Sequence, residues 1–143
     1  MKGYLIDTNV LSEYLRPERP NPGVARWMET TAEDVQYISV LTLAELEKGI
    51  LRKEDGRRKR DLQQWFDADL PRRFAGRVLV FDAPVASRWA HLVAASLDKG
   101  RPLPTLDSQI AATALAHDLA LVTRNVKDFE GLGLTIINPR DTV

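Results

Sequence analysis

Short apolar runs alternate with longer segments of helical periodicity along this chain. The apolar runs are rich in β-branched residues and are bounded by chain-breaking residues, which is typical of buried strands. They predict five strands, over residues 4–6, 35–40, 78–81, 120–123 and 134–137. Because the strands alternate with helical segments, we predict an α/β fold around a mainly parallel central sheet.

The segments between the strands have the residue spacing of helices. We predict helices over residues 8–15, 22–31, 42–52, 57 to about 68, 84–97 and 105–119. Three prolines in the segment 16–22 end the first helix and stiffen the connection to the second. No repeat, low-complexity tract or long linker divides the 143 residues, so we expect one domain over residues 1–143.

The composition limits the class of protein. The chain has no cysteine, which excludes disulfides and thiolate metal sites and fits a reducing cytoplasm. The N-terminal residues resemble neither a secretory signal nor a membrane span. The formal net charge is zero, but the segment 51–60 holds six basic residues against two acidic ones. That segment is either a solvated helix end with a turn around Gly56, or a rim that guides phosphates.

Polar residues follow the predicted strands at positions where a ligand would bind. In parallel α/β sheets, ligands collect at the carboxyl ends of the strands. Asp7 follows the first strand, and Glu45 lies one helical turn after the second. Asn125 and Asp128 follow the fourth strand, and Asp107 lies near the start of the helix that leads into it. Four separate segments therefore bring oxygen ligands to one predicted edge of the sheet.

Each of these residues also has a simpler explanation. Asp7 or Thr8 would cap the helix that begins there, because their side chains accept hydrogen bonds from first-turn N–H groups. Asn125 and Asp128 are typical of a short loop or helical turn.

Periodicity supports the two acids on helices unequally. A helix dipole favours Asp107 in the first turn, but Ile110 and Ala111 follow it on the same face, so its carboxylate is expected to point inward. Glu45 lies at the flank of the apolar stripe of its helix, and Glu47 falls closer to the middle. Periodicity alone would therefore not select Glu45.

Inward carboxylates at one edge repel one another and resist ionisation unless a cation neutralises them. With no cysteine and no histidine near these motifs, all ligands would be oxygen atoms. Such a donor set suits Mg²⁺ or Mn²⁺ better than zinc or copper.

Four sequence blocks in register resemble a known family. The blocks "LIDTNVLSEYL", "SVLTLAELEKG", "LDSQIAATA" and "LVTRNVKDF" are similar to those of PIN-domain nucleases, in particular the VapC/FitB-like toxin branch of type II toxin–antitoxin pairs. The resemblance spans essentially the whole chain. It implies a three-layer sandwich with helices on both faces of a parallel sheet, Mg²⁺- or Mn²⁺-dependent ribonuclease activity, frequent homodimerisation and inhibition by a cognate antitoxin.

The resemblance also implies roles for the acidic positions. Asp7, Glu45 and Asp107 match the first three acids of the family, and Asp7 and Asp107 would hold one metal ion, with Glu45 binding it directly or through water. The fourth family acid is often an aspartate two residues after the threonine of "LVT", and here that residue is Asn125. Asn125 can still ligate through its amide oxygen or hold a metal-bound water, and Asp128 can supply the missing charge. The number of metal ions is left open by this departure.

Smaller polar and basic residues complete the predicted site. Thr8, Asn9, Ser108 and Thr123 are candidates for orienting the carboxylates, with backbone capping as the alternative for each. Arg124, Arg57 and Arg58 are candidates for RNA contacts, with solvated side chains as the alternative. Single-stranded or looped RNA is the expected substrate, because its bases are exposed.

Other functions have weaker support. His91 lies four residues after Ser87 on a predicted helix, but no acid or oxyanion loop accompanies the pair, and His117 fits a role near a helix end. Asn9 stands where a dehalogenase-type phosphatase would need a second aspartate. The alternative from a different class is a non-catalytic protein- or RNA-binding module with a decayed metal site, which only Asn125 supports.

Two partner predictions follow. Trp27, Trp65 and Trp89 are many large aromatics for one domain, so we expect either a homodimer whose interface includes some of them or a core that contains all three. We also expect an antitoxin that lays an amphipathic or extended segment over the site and reaches the carboxylates with a basic side chain.

Overall fold

A five-stranded parallel sheet forms the centre of the computed structural model, which describes residues 2–15 and 20–143. The strands are β1 (Gly3–Ile6), β2 (Gln36–Ser39), β3 (Val78–Leu79), β4 (Leu119–Val122) and β5 (Ile136–Ile137). Their order is β3-β2-β1-β4-β5, and every neighbouring pair is parallel. The predicted α/β fold with a parallel sheet is confirmed.

Helices follow and connect the strands. They are α1 (Thr8–Tyr14), α2 (Pro22–Thr30), α3 (Val40–Leu51), α4 (Arg57–Gln64), α5 (Leu70–Arg73), α6 (Ala83–Asp98), α7 (Thr105–Ala116) and α8 (Val126–Phe129). A π-helical turn, Trp65–Asp69, joins α4 to α5, and 3₁₀ turns cover Glu33–Val35 and Pro139–Asp141. None of the helices within residues 2–15 and 20–143 is long and apolar enough to cross a membrane.

Several predicted boundaries were wrong by a few residues. Helix α3 begins at Val40, two residues early, because the side chain of Ser39 accepts a hydrogen bond from Leu41 N at 3.0 Å and caps the helix. Helix α7 ends at Ala116 rather than 119, because Asp118 has a positive φ of 54° that no helix continues through.

The remaining differences concern the lengths of the elements. The edge strands β3 and β5 have two residues each, against four predicted for each. The helical segment predicted over 57–68 continues through the π-helical turn to Arg73. The predicted proline-rich connection 16–22 falls largely on residues 16–19, which lie outside the described residues.

The core has two parts, one on each face of the sheet. Leu5 and Ile6 of the central strand are both fully buried, and their side chains point to opposite faces. Ile6 packs with the cluster that includes Trp27 of α2, and Leu5 packs with the cluster that includes Ile110 of α7. Helices therefore cover both faces, which gives the three-layer sandwich and leaves the carboxyl edge of the sheet to the residues after each strand.

Candidate active site

Asp7 lies at the carboxyl end of the central strand, between its two neighbours. Its backbone N–H donates to Val122 O at 2.9 Å, which continues the ladder with β4. One side-chain oxygen, Oδ1, accepts from the Thr8 backbone N–H at 2.8 Å and caps α1. The other, Oδ2, accepts from the Thr123 hydroxyl at 2.9 Å. The capping interpretation therefore describes one oxygen of Asp7, while the second belongs to a contact across the sheet.

The burial of Asp7 makes its charge costly. The side chain is nearly inaccessible, with 4% of the residue exposed. Burial raises the pKa of Asp7 to about 6; the hydrogen bonds from Thr123 and Thr8 oppose this shift, and the negative charges of Asp107 and Glu45 add to it. A carboxylate in such surroundings is stabilised by any cation that approaches it.

Glu45 and Asp107 reach the same edge from two helices. Glu45 of α3 accepts a hydrogen bond from the Thr8 hydroxyl at 2.6 Å, so the residue next to Asp7 holds it directly. Asp107 lies in the first turn of α7 and is half-buried. Burial raises the pKa of Asp107, and the negative charges of Asp128 and Glu45 raise it further. The carboxylates of Asp7, Glu45, Asp107 and Asp128, which come from four segments, are thus close enough for their charges to affect one another.

Asn125 and Asp128 belong to the short helix that follows β4. Asn125 precedes α8, and its backbone N–H donates to the Thr123 hydroxyl at 3.1 Å. Asp128 lies in the first turn of α8, and its N–H donates to Asn125 O at 3.1 Å. The interpretation of these residues as parts of a helical turn is confirmed. That turn also brings the charge of Asp128 to Asp107.

Three of the four predicted orienting residues contact the carboxylates. Besides the contacts of Thr8 and Thr123, the Asn9 side-chain amide donates to Asp7 Oδ2 at 3.3 Å and to Thr123 Oγ1 at 3.2 Å. Ser108 differs, because its hydroxyl accepts from Trp89 Nε1 at 2.8 Å and donates to the Thr105 carbonyl at 2.8 Å. The hydroxyl of Ser108 thus joins α7 to α6 and does not bond the carboxylates.

The predicted basic residues have different surroundings. Arg57 is 90% exposed, with Asp61 at 3.9 Å. Arg58 donates to the Leu15 carbonyl at 3.3 Å and, with Glu45, lines a groove of about 470 Å³ between α1, α3 and α4. The turn predicted around Gly56 lies between α3 and α4, and most of the segment 51–60 is exposed. Arg124 is half-buried and forms an ion pair instead of extending into solvent.

The ion-pair partner of Arg124 was missed by the sequence interpretation. Glu13 of α1 is 4% exposed, and its carboxylate binds both Arg124 and Arg140. A signal was present in the sequence, because Glu13 follows the apolar Val10 by three residues and therefore shares the inward face of α1.

The histidines take no part in this edge of the sheet. His91 Nδ1 lies 2.8 Å from the Ser87 backbone carbonyl, one turn back along α6. His117 occupies the C-cap position of α7, where its backbone N–H donates to Thr113 O at 3.2 Å. The nucleophile–base pair considered for Ser87 and His91 therefore gains no support from the hydrogen bonds of α6.

The donor set of the acidic edge fits a hard divalent cation. Its groups are carboxylates and one amide, all oxygen donors of the kind that Mg²⁺ and Mn²⁺ prefer. Burial, and after it the negative charge of the neighbouring carboxylates, raises the pKa of Asp7 and of Asp107, and a cation at this edge would offset both effects. Within residues 2–15 and 20–143, no three His, Cys, Asp or Glu side chains lie close enough together to bind one metal ion as they stand. The carboxylates would therefore have to adjust to reach one ion together.

Comparisons with known proteins agree with this fold. The PIN domain model matches residues 4–132. Toxin FitB of Neisseria gonorrhoeae (strain ATCC 700825 / FA 1090) is 36% identical over 94% of this chain and 96% of its own length. The VapC ribonuclease Y4jK of Sinorhizobium fredii (strain NBRC 101917 / NGR234) is 36% identical with the same coverage. The crystal structure of FitAcB from Neisseria gonorrhoeae superposes with a TM-score of 0.91 at 36% identity, over 96% of this chain and 99% of that one.

A parallel α/β sandwich with acidic residues at the carboxyl ends of its strands is the class of fold in which ligands bind at that edge. The chain belongs to the PIN domain family. The resemblance to the VapC/FitB-like toxin branch is confirmed by the relatives.

Proposed function

We propose that this protein is a Mg²⁺- or Mn²⁺-dependent endoribonuclease that hydrolyses RNA phosphodiester bonds and acts as the toxin of a toxin–antitoxin pair. The observation that carries the proposal is the gathering of Asp7, Glu45, Asp107 and Asp128 at one edge of a parallel sheet, with pKa shifts that link them. The ribonuclease and toxin names of two relatives support the same activity. The absence of cysteine supports a cytoplasmic site of action.

Asp7 and Asp107, with Glu45, would hold the metal ion. The number of ions stays open, and a second ion, where one binds, would be held by Glu45, Asn125 or Asp128. A bound divalent ion polarises a phosphate and lowers the pKa of a water molecule. The side chains of Thr8, Asn9 and Thr123 fix the carboxylate oxygens before substrate arrives. Such preorganisation reduces the cost of aligning the reacting groups.

RNA would approach the acidic edge past a basic segment. Arg58 and Lys53 line the same groove as Glu45. Arg57, the residue before Arg58, extends into solvent. Positive side chains there offset the repulsion between the acidic edge and the phosphates. This arrangement favours single-stranded RNA, because a flexible strand can bend from the groove to the carboxylates.

The protein partners are a cognate antitoxin and a second copy of the chain. The toxin name of the Neisseria relative supports an inhibitor. A basic side chain of that inhibitor would neutralise the same carboxylates that bind metal, through charge-assisted hydrogen bonds. An antitoxin is expected to co-purify when both genes of the native operon are expressed, and purification without any companion peptide would contradict this partner.

The nuclease activity is tested with Asp7→Asn and a matched control. We expect wild-type protein to cleave single-stranded RNA and to arrest bacterial growth, Asp7→Asn to do neither, and EDTA to stop the wild type. Asp34→Asn makes the same chemical change at an exposed carboxylate in the Glu33–Val35 turn and should retain full activity.

Two outcomes would contradict the proposal. Equal growth of cells that express wild type and Asp7→Asn, with no RNA cleavage in vitro, would favour the binding module with a decayed site. Cleavage that persists in EDTA would exclude the metal-dependent reaction.

A further inference from the structure

Glu13 lies at the centre of an ion-pair cluster that joins three distant segments. Its carboxylate accepts from Arg124 Nη1 at 2.6 Å and from Arg140 Nη2 at 2.8 and 2.9 Å. Arg124 stands between β4 and α8, and Arg140 lies in the C-terminal 3₁₀ turn. The Glu13 side chain is 5% exposed, against 30% for Arg124 and 44% for Arg140, so the negative member is the buried one.

The cluster keeps Glu13 ionised. Burial alone raises the pKa of this carboxyl, but the hydrogen bonds from Arg124 and Arg140, together with their charges, outweigh burial and hold the pKa below its usual value. A buried carboxylate of this kind depends on its partners, since removing one leaves an uncompensated charge. Glu13 and the two arginines therefore constrain one another's positions.

The Arg124 arm leads to the candidate active site. The backbone N–H of Arg124 donates to Asn9 Oδ1 at 3.3 Å. The amide of Asn9 donates in turn to Asp7 Oδ2 and Thr123 Oγ1, and Thr123 also donates to Asp7. Arg124 is thus held at two points, by Glu13 through its side chain and by Asn9 through its backbone. Its neighbour Thr123 is also held by Asp7, by Asn9 and by a backbone bond to Ile137 O at 2.9 Å.

The Arg140 arm leads away from the acidic edge. Arg140 belongs to the Pro139–Asp141 turn, which packs on α2 so closely that a Cβ at Gly23 would lie 2.5 Å from the Arg140 carbonyl oxygen. The ion pair with Glu13 ties this C-terminal turn to α1, and the backbone of the turn packs on α2. Glu13 therefore makes two ion pairs with different neighbours. The pair with Arg124 lies next to the candidate active site, and the pair with Arg140 holds the C-terminal turn.

We propose that Glu13 is a positioning residue of the nuclease: by holding Arg124 it fixes the segment 123–125, and with it the hydroxyl that orients Asp7 and the position of Asn125. The inference rests on the proposed function. The hydrogen bonds of Glu13 go to Arg124 and Arg140 and not to the other carboxylates, so it would act on the site through Arg124.

Four variants separate positioning from general stability. Glu13→Gln keeps the shape of the side chain and removes its charge, and Arg124→Gln breaks the arm toward the site. Arg140→Gln breaks only the arm toward the C-terminus. Glu33→Gln is the matched control, because Glu33 forms an ion pair with Arg73 at 3.3 Å but is 66% exposed.

Two readouts are needed: steady-state cleavage of a mixed-sequence single-stranded RNA oligonucleotide in saturating Mg²⁺, and backbone amide hydrogen exchange by NMR. Glu13→Gln and Arg124→Gln are expected to lower kcat by about tenfold with KM within about twofold of wild type. Both should speed exchange at the amides of Arg124 and Asn125. Arg140→Gln should lower the thermal midpoint but leave kcat and the exchange rates of these two amides unchanged. The conservative variant Arg124→Lys should keep part of the kcat that Arg124→Gln loses.

Three results would overturn the inference. The first is that kcat falls in proportion to the thermal midpoint in both Glu13→Gln and Arg140→Gln, which would make the loss of activity an effect of stability. The second is a rise in KM alone for Arg124→Gln, which would make Arg124 an RNA contact. The third is unchanged amide exchange at Arg124 and Asn125 in Glu13→Gln. If wild-type protein cleaves no RNA, the proposed function fails, and amide exchange still decides whether Glu13 fixes the segment.

Discussion

Individual residues at the acidic edge make contacts of more than one kind. Asp7 caps α1 with one oxygen and accepts from Thr123 with the other, so capping accounts for only one of its two oxygens. Sequence reasoning placed Asp7 and Asp107 correctly at the edge because each follows from a local rule, a strand end or an inward helix face. No local rule selects Glu45. Its position depends on the hydrogen bond from Thr8, which forms only when β1 and β2 lie side by side.

The ionisation of Asp7 predicts a pH-dependent stability. The pKa of Asp7 is about 6 in the folded protein and 3.8 when exposed, so the folded state binds this proton more tightly. The stability that the protonated carboxyl contributes is full below the unfolded pKa and is lost as pH rises through the folded pKa. Above about pH 6, ionised Asp7 therefore lowers the free energy of unfolding by about 3 kcal/mol. We expect Asp7→Asn to raise the free energy of unfolding near neutral pH by up to that amount.

Urea unfolding in EDTA measures this effect at two pH values. At about pH 8 Asp7→Asn should be more stable than wild type, and at about pH 4 most of the difference should disappear. The exposed Asp34→Asn variant controls for the general effect of removing one carboxylate. An equal stability change at both pH values would show that Asp7 does not titrate in this range.

Whole helices were easier to predict than their ends. The helix predicted over 84–97 differs from α6 by only one residue at each end. Its start was predictable because Asp82 caps the helix by accepting from Val85 N, and Pro84 suits the first turn. The start of α3 was missed because Val40 suits a strand as well as a helix, and the Ser39 cap decides between them. The end of α7 was missed for a similar reason, since Leu119 is apolar in either element.

The packing of α2 against the C-terminal turn predicts opposite effects at two glycines. In Gly23→Ala the new methyl group would lie 2.5 Å from the Arg140 carbonyl oxygen and 2.7 Å from that of Pro139. We expect a loss of about 1–3 kcal/mol in the free energy of unfolding, because this overpacking outweighs the better helix propensity of alanine. At Gly49 of α3 an added Cβ meets nothing within 4 Å. Gly49→Ala should therefore gain about 0.5–1 kcal/mol.

Urea unfolding of both variants in one buffer makes the comparison. Stabilisation by Gly23→Ala would mean that the C-terminal turn does not pack on α2 in solution.

At the scale of the molecule, the tryptophans fall into two groups. Trp27 is 7% exposed and packs edge-to-face on Tyr4, with ring centroids 5.3 Å apart, so it belongs to the core. Trp65 and Trp89 are only partly buried. The expectation that all three are core residues is therefore correct for Trp27 alone, and two large aromatic side chains are left with surface that a second copy of the chain can cover.

We expect light scattering to give twice the mass of one chain. Diluting the sample should change the emission of Trp65 or Trp89, because part of their surface would become hydrated, and Trp65→Phe and Trp89→Phe variants would assign the change. The core residue Trp27 should show no change. A mass of one chain throughout the micromolar range would remove the homodimer.

The central position of β1 has a consequence for synthesis. The first strand made cannot gain its second neighbour, β4, until residues 119–122 have emerged, and the side chain of Asp7 meets that of Thr123 across 116 positions of sequence. A chain that has been synthesised only as far as α6 therefore contains Asp7 and Glu45 but lacks Asp107, Thr123 and Asp128, so its acidic edge cannot assemble. Synthesis thus separates Asp7 from the partner that orients it by 116 positions of sequence, and an inhibitor made during that interval can meet the enzyme as the centre closes.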